Sequence, residues 1–179
     1  MAQGLEELSR EQLVKLLEIT AKDLIALDGT WFQSLERAQG MDEAMEHDRG
    51  AWRRFVPSEA RRLKQLLELP DGCGLAGLAK ALPFRCTSLA NEWELIWDDD
   101  GRALTFRITN CRVQNARSRK GMEFHPCKSV GELEYAGFAT ALDDRIQCEC
   151  LSCFPDITDS TCNCAWRFWL ADEGARRTV

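Results

Sequence analysis

The sequence predicts an α+β fold, in which N-terminal helices pack on a four-stranded antiparallel sheet made of two hairpins with an intervening helix. Three observations indicate it: residues 1–85 follow helical periodicity, residues 86–179 hold two pairs of alternating apolar runs, and a helical segment separates the pairs. This order is typical of helices that cover one face of an antiparallel sheet. At 179 residues, the chain is expected to form a single domain.

The first helix is expected to begin at a capping box, because Ser9 is followed three residues later by Gln12. Asp28-Gly29 is a weak point within it, and Gln39-Gly40 is expected to end it. Between these limits apolar residues recur near helical spacing, namely Leu13, Leu16, Leu17, Leu24, Leu27, Trp31 and Leu35.

A second helix is predicted from Met41 to about Leu69. Pro57 lies inside it and is expected to kink or split it at Val56, because proline removes a backbone donor and crowds the preceding turn. A short helix over 74–82 is expected next, after the stop signal Leu69-Pro70-Asp71-Gly72.

The first hairpin is predicted from apolar alternation over 89–97 and 104–108, joined by Asp98-Asp99-Asp100-Gly101. Residues 112–120 then indicate a polar connector or short helix, and residues 128–142 a longer helix.

The last hairpin concentrates five of the nine cysteines near its turn: Cys148, Cys150, Cys153, Cys162 and Cys164. Side chains alternate between the faces of a strand, so a turn centred near Ile157 would place Cys150 opposite Cys164 and Cys148 opposite Trp166. Clustered thiols on a rigid hairpin suit a metal, a redox pair or a nucleophile. Buried thiols without any ligand are the competing interpretation, because free cysteine often serves as a small apolar residue.

Composition excludes some classes of function. A net charge of −6 disfavours a broad nucleic-acid surface, since contacts with phosphates need an excess of Lys and Arg. No secretory signal or membrane-spanning run is evident, so we expect a cytoplasmic protein with no membrane partner. Cytoplasmic thiols stay reduced, and nine is an odd number, so a complete disulfide framework is not expected.

Two further groups are candidate site residues. His125 and Cys127 point to the same side if His125-Pro126-Cys127 is extended, which would suit metal ligation or a Cys–His pair for nucleophilic catalysis. Several aromatic residues are expected to line an apolar pocket between the helices and the sheet, although a fully packed core is the alternative. They are Trp31, Trp52, Trp93, Phe106 and Trp166.

Four segments carry a resemblance to a known family. They read DRGAWRRFVPSEARRLK, NCRVQNARSRKGMEFHPCKSVG, FATALDDRIQCEC and CAWRF. They resemble a group of small archaeal and bacterial proteins known only as cytosolic proteins, and His125 is not part of the shared pattern. The shared cysteines correspond to Cys111, Cys127, Cys150, Cys153 and Cys164.

That group is in turn similar to aminothiazoline-carboxylate hydrolase-like proteins and to vinyl-reductase-like ligand-binding domains. The resemblance implies a pocket for a small apolar or heterocyclic ligand, and a homodimer. The local spacing and the resemblance together select one ligand set for zinc or an iron–sulfur cluster: Cys127, Cys150, Cys153 and Cys164.

Two functions follow as expectations. The first is a cytosolic small-molecule-binding or sensing domain with a cysteine cluster that holds a metal or acts as a redox element. The alternative is a hydrolase that acts on a small cyclic amidine or thiazoline-type substrate through a Cys nucleophile or a bound metal. A structural role in a larger assembly is a third option.

Overall fold

The computed structural model describes residues 4–171 and confirms the α+β class. In chain order its helices and strands are α1 (Arg10–Gln39), α2 (Met41–Leu66), α3 (Gly74–Ala81), α4 (Cys86–Ala90), β1 (Glu92–Trp97), β2 (Ala103–Asn110), α5 (Arg112–Arg119), α6 (Lys128–Leu142), β3 (Ile146–Cys153) and β4 (Cys164–Leu170). Within the described part of the chain, no helix combines the length and the apolar character needed to cross a membrane.

The long N-terminal helices begin as predicted but are less interrupted than expected. The capping box forms, with the Ser9 side chain accepting from the Gln12 amide and the Gln12 side chain accepting from the Ser9 amide. α1 passes through Asp28-Gly29 without a break. α2 continues through Pro57, so the predicted split at Val56 is wrong. Val56 and Ala60 are completely buried on either side of the proline, and this packing holds the helix together.

The region between α2 and the sheet differs from its prediction. α3 ends at Ala81 and gives way to a 3₁₀ turn over Leu82–Phe84. Residues 86–90, part of which was expected to begin β1, instead form the short helix α4. The predicted connector is the helix α5, and α6 has the bounds that the sequence predicts.

The four strands form one antiparallel sheet in the order β1-β2-β4-β3. The predicted register of the last hairpin is wrong, because Cys150 lies opposite Trp166 and Cys148 lies opposite Phe168. The pairing shifts between Cys150 and Ser152, a β-bulge that brings Cys153 opposite Cys164.

The bulge decides which face Cys153 occupies. Cys150 and Cys153 are three residues apart, so regular alternation would place them on opposite faces. With one extra residue in β3, Cys153 shares the face of Cys164, which is also the face of Trp166 two residues further along β4. This face packs against the helices in one apolar core that includes Val56, Phe106, Phe138 and Trp166.

Candidate active site in a cavity between the helices and the sheet

A cavity of about 270 Å³ lies between the sheet and the helices α1, α2, α4, α5 and α6. Its walls combine aromatic rings with ionisable groups. The residues that matter for its chemistry are Asp28, Asp48, Trp52, Cys111, Gln114, His125, Cys127, Glu134, Tyr135, Cys153, Cys164 and Trp166. A cleft that is mostly apolar and holds a few polar groups is the usual form of a small-molecule site.

Cys127 lies at the N-terminus of α6, where the chain turns from the His125-Pro126 segment into the helix. Its carbonyl accepts the first helical hydrogen bonds, from the amides of Val130 and Gly131. Its Sγ is 3.5 Å from Sγ of Cys153 and 3.5 Å from Nε2 of Gln114. The N-terminus of a 15-residue helix favours a negative group, so the position stabilises a thiolate.

His125 is buried, with its side chain 9 % exposed, and it lies between an acid and the thiol. Its Nε2 is 3.4 Å from Oδ2 of Asp48 on α2. Its Nδ1 is buried without a well-aligned hydrogen-bond partner in the described part of the chain. The ring packs against Phe32 at 4.5 Å between centroids, which fixes its plane.

Gln114 of α5 holds the His125 backbone in place. Its Oε1 accepts from the His125 amide at 3.0 Å, and its Nε2 donates to the His125 carbonyl at 2.9 Å. Gln114 is itself buried. Because the same Nε2 also reaches Cys127, this side chain sets the spacing between the imidazole and the thiol.

The surroundings shift the two groups toward an ion pair. The pKa of Cys127 is lowered chiefly by the hydrogen bond from Cys153, and further by His125 and Gln114, against the opposing effect of burial. Burial alone would lower the pKa of His125, but Asp48 and Cys127 together outweigh it and raise that pKa to about 9. Both shifts favour a thiolate on Cys127 beside an imidazolium on His125.

Two acids on the cavity wall have raised pKa values. Burial, reinforced by the nearby charge of Asp48, raises the pKa of Asp28 to about 6. Burial also raises the pKa of Glu134 to about 7, although Arg85 opposes the shift from 2.8 Å away. The Asp28 carboxylate has no hydrogen bond or ion pair with residues 4–171.

Packing and one buried ion pair hold the cavity walls together. Tyr135 stacks on Trp166 at 4.7 Å between centroids. Arg117 of α5 is almost fully buried and makes two 2.7 Å hydrogen bonds to the carboxylate of Glu36 on α1. This two-pronged pair fixes α1 against α5 beside the His125 segment.

The five aromatic residues that were predicted to line one pocket lie in three different environments in the structure. Trp52 and Trp166 line the cavity. Trp93 and Phe106 pack on each other at 5.7 Å in the core instead. Trp31 is 69 % exposed on the outer face of α1, because the helical period directs Ile25, Asp28 and Phe32 inward.

The four predicted metal ligands do not converge on one point. Cys127, Cys153 and Cys164 line the cavity, while Cys150 lies two positions away from Cys153 along the strand pair, opposite Trp166 and near Lys128. Among the described residues, no group of three His, Cys, Asp or Glu side chains has the geometry to hold a metal ion. We therefore assign no chemistry here to zinc or an iron–sulfur cluster, and metal binding stays a prediction for elemental analysis.

Sequence reasoning missed the acids of the site, yet a signal for them exists. Asp48 lies three residues after Met45 and four before Trp52, on the buried side of α2. Asp28 is related in the same way to Ile25 and Phe32 on α1. A carboxylate on the apolar stripe of a helix is a marker of a buried site.

The fold and the site define a small α+β protein with a largely buried Cys–His–Asp cluster at the wall of a cavity. Residues 6–170 match a family described as a family of unknown function, DUF6125. The chain belongs to this family. No curated protein matches the chain. The further likeness to aminothiazoline-carboxylate hydrolase-like and vinyl-reductase-like proteins stays a prediction.

Proposed function

We propose that the protein is an enzyme that hydrolyses a small, partly apolar molecule, with Cys127 as the nucleophile. The observation that carries this proposal is the contact of one thiol with His125, Gln114 and Cys153 at the wall of the cavity. A nucleophile, a base and a group that orients the base are the three parts that covalent catalysis requires.

The residues divide the chemistry as follows. The Cys127 thiolate attacks an electrophilic carbon of an amide, amidine or thiazoline-type bond, and an S–C bond forms. The His125 imidazolium donates its proton to the departing nitrogen or sulfur as the C–N or C–S bond breaks. The neutral His125 then removes a proton from water, which attacks the same carbon and releases Cys127.

Asp48 supports His125 without contacting the reacting atoms, whereas Gln114 supports His125 and also contacts the Cys127 sulfur at 3.5 Å. Asp48 stabilises the imidazolium and orients the ring through its 3.4 Å contact with Nε2. Gln114 fixes the backbone of His125 through two hydrogen bonds. The aromatic walls, Trp52 and Trp166, exclude water and favour a flat heterocyclic substrate.

The test combines turnover with covalent trapping. The native protein is incubated with a panel of small cyclic amides, amidines and thiazolines, and both products and intact protein mass are followed. We expect an adduct on Cys127 and hydrolysis that is lost in Cys127→Ala, by at least about a hundredfold. Cys148→Ser is the matched control, because Cys148 packs in the core away from the cavity wall. Hydrolysis that persists in Cys127→Ala would overturn the proposal.

A second candidate is a small-molecule-binding or sensing domain. The cavity, with its aromatic lining, favours it independently of the thiol. In that case the same panel would change the tryptophan fluorescence of the native protein and of Cys127→Ala alike, without any product.

A further inference from the structure

The sulfur atoms of Cys127 and Cys153 lie in direct contact, although the proposed hydrolysis uses only Cys127 as a nucleophile. Their Sγ atoms are 3.5 Å apart, and both thiols line the cavity. A disulfide requires about 2.0 Å between sulfur atoms. Side-chain rotation and a small backbone adjustment would therefore suffice to join them.

The backbone holds these two segments side by side. The amide of Lys128, next to Cys127, donates to the carbonyl of Phe154, next to Cys153, at 2.9 Å. The Lys128 ammonium also pairs with Asp156 at 2.8 Å. The β-bulge after Cys150 turns Cys153 toward this contact. Three separate features of the fold thus bring the two thiols together.

We propose that Cys127 and Cys153 form a redox-active dithiol, in which peroxide oxidises Cys127 and Cys153 resolves the product into a disulfide. This goes beyond the proposed hydrolysis and needs only a reactive Cys127. The oxidised form has no nucleophilic thiolate, so oxidation reversibly switches off the site.

The chemistry balances in two steps. The Cys127 thiolate attacks one oxygen of hydrogen peroxide, the O–O bond breaks, and the departing hydroxide takes the His125 proton to give water and a Cys127 sulfenic acid. The Cys153 sulfur then attacks the Cys127 sulfur, and the S–O bond breaks. Hydroxide leaves with the Cys153 proton as water, and the S–S bond forms. A thiol or dithiol reductant returns both sulfurs to thiols by exchange.

Hydrogen peroxide must reach the two thiols, and Cys153 has a second cysteine neighbour. The cavity is far larger than the roughly 30 Å³ that one water occupies in the liquid, so hydrogen peroxide fits. Cys164 is the competing partner, because it lies directly opposite Cys153 on β4. We favour Cys127 as the partner of Cys153 because Cys127 lies at the N-terminus of α6, which stabilises a thiolate, and its sulfur contacts that of Cys153. The thiolate is the form of cysteine that peroxide oxidises.

The test is peptide mapping of the whole protein. Protein purified without oxygen receives one equivalent of hydrogen peroxide, free thiols are alkylated, and linked peptides are identified by mass spectrometry. We expect a Cys127–Cys153 link in the native protein and in Cys164→Ser, and its reversal by dithiothreitol. Cys153→Ser should instead accumulate a Cys127 sulfenic acid that reacts with dimedone.

Each other outcome overturns the inference. A Cys153–Cys164 link, a sulfinic acid on Cys127 of the native protein, or no reaction of either thiol would each do so. These outcomes are distinct from a failed hydrolase proposal, because mapping involves no substrate. If the disulfide forms and no substrate is hydrolysed, the redox-active dithiol is supported and only the hydrolase proposal is rejected.

Discussion

At the residue scale, the ionised carboxylate of Asp28 in the cavity wall lowers the stability of the fold. Its carboxylate lines the cavity and has no hydrogen-bond partner in the described part of the chain. Burial and the like-charged Asp48 raise its pKa, and the charge of His125 offsets this only in part. A buried acid without a partner lowers stability when it ionises. Residues of this kind are typical of functional sites rather than of structural cores.

The pH dependence of this cost is a direct prediction. The folded pKa of Asp28, about 6, is above its unfolded value, so the stabilisation from its neutral form is complete at low pH and is lost as the pH rises through 6. We expect Asp28→Asn to raise the free energy of unfolding by on the order of 1–2 kcal/mol at pH 8, and to leave it unchanged at pH 4.

Chemical denaturation at the two pH values measures this difference. Asp23→Asn is the matched control, because Asp23 is exposed on the same helix. Equal effects of Asp28→Asn at both pH values would show that Asp28 ionises as freely as a surface acid.

At the scale of the elements, the approach of α6 to the sheet depends on a glycine. A Cβ atom at Gly131 would lie 2.4 Å from the ring of Trp166, whereas a Cβ at Gly137 on the same helix would meet Val56 at an ordinary 3.5 Å. Gly131 therefore allows close contact between helix and strand beside Cys127, and Gly137 has no such role.

Two alanine substitutions separate these roles. Gly131→Ala is expected to destabilise the protein by about 1–3 kcal/mol, because Trp166 or α6 must move. Gly137→Ala should be neutral or stabilise it by up to about 1 kcal/mol, since alanine favours the helix. Thermal unfolding of both variants measures the contrast, and equal effects would contradict the packing described for α6.

The helices and strands that local sequence patterns determine were predicted correctly, and those that depend on tertiary contacts were not. The capping box at Ser9 and the period of 128–142 are local, and both were predicted correctly. The continuity of α2 through Pro57 depends on tertiary burial of Val56, which no local pattern reveals. The register of the last hairpin depends on a bulge, which the sequence does not mark.

In the candidate site too, neighbouring residues could be predicted from the sequence, and residues from distant elements could not. The sequence made His125 and Cys127 candidates on the assumption that their segment is extended, whereas in the structure they meet at a turn in which the Cys127 amide donates to the His125 carbonyl at 2.8 Å. Asp48 and Gln114 come from distant helices, so only the fold brings them to the pair. The bulge leaves Cys150 and Cys153 on the same face of the sheet, but Cys150 lies opposite Trp166 and near Lys128, away from the cavity that the other three thiols line.

At the scale of the whole molecule, one face of α1 leaves apolar side chains in solvent. Leu17, Leu24, Leu27 and Trp31 are between 44 % and 69 % exposed, a continuous set at helical spacing. Residues 10–24 carry three basic and three acidic side chains, so two such helices would not repel each other. We propose that this face of α1 forms the homodimer that the family resemblance implied.

We therefore expect the protein to sediment as a dimer at micromolar concentration. Leu17→Glu should shift it to the monomer, because burying a charge within the interface is costly. Leu66→Glu, at a leucine that is 73 % exposed at the end of α2, is the control and should leave the dimer intact. A native protein that sediments as a monomer at every concentration would contradict this prediction.

The central claim is that His125, Gln114 and Cys153 make Cys127 a thiolate at neutral pH, and its most direct test is the pH dependence of alkylation at each cysteine. Native protein is treated briefly with iodoacetamide between pH 4 and 10, and modification is read at every cysteine by mass spectrometry. We predict that Cys127 is the first cysteine modified at pH 6, and that His125→Asn moves its midpoint toward the ordinary value of about 8.5. If Cys127 is modified no faster than Cys150 at pH 6, or if His125→Asn leaves its midpoint unchanged, the account of this site is wrong.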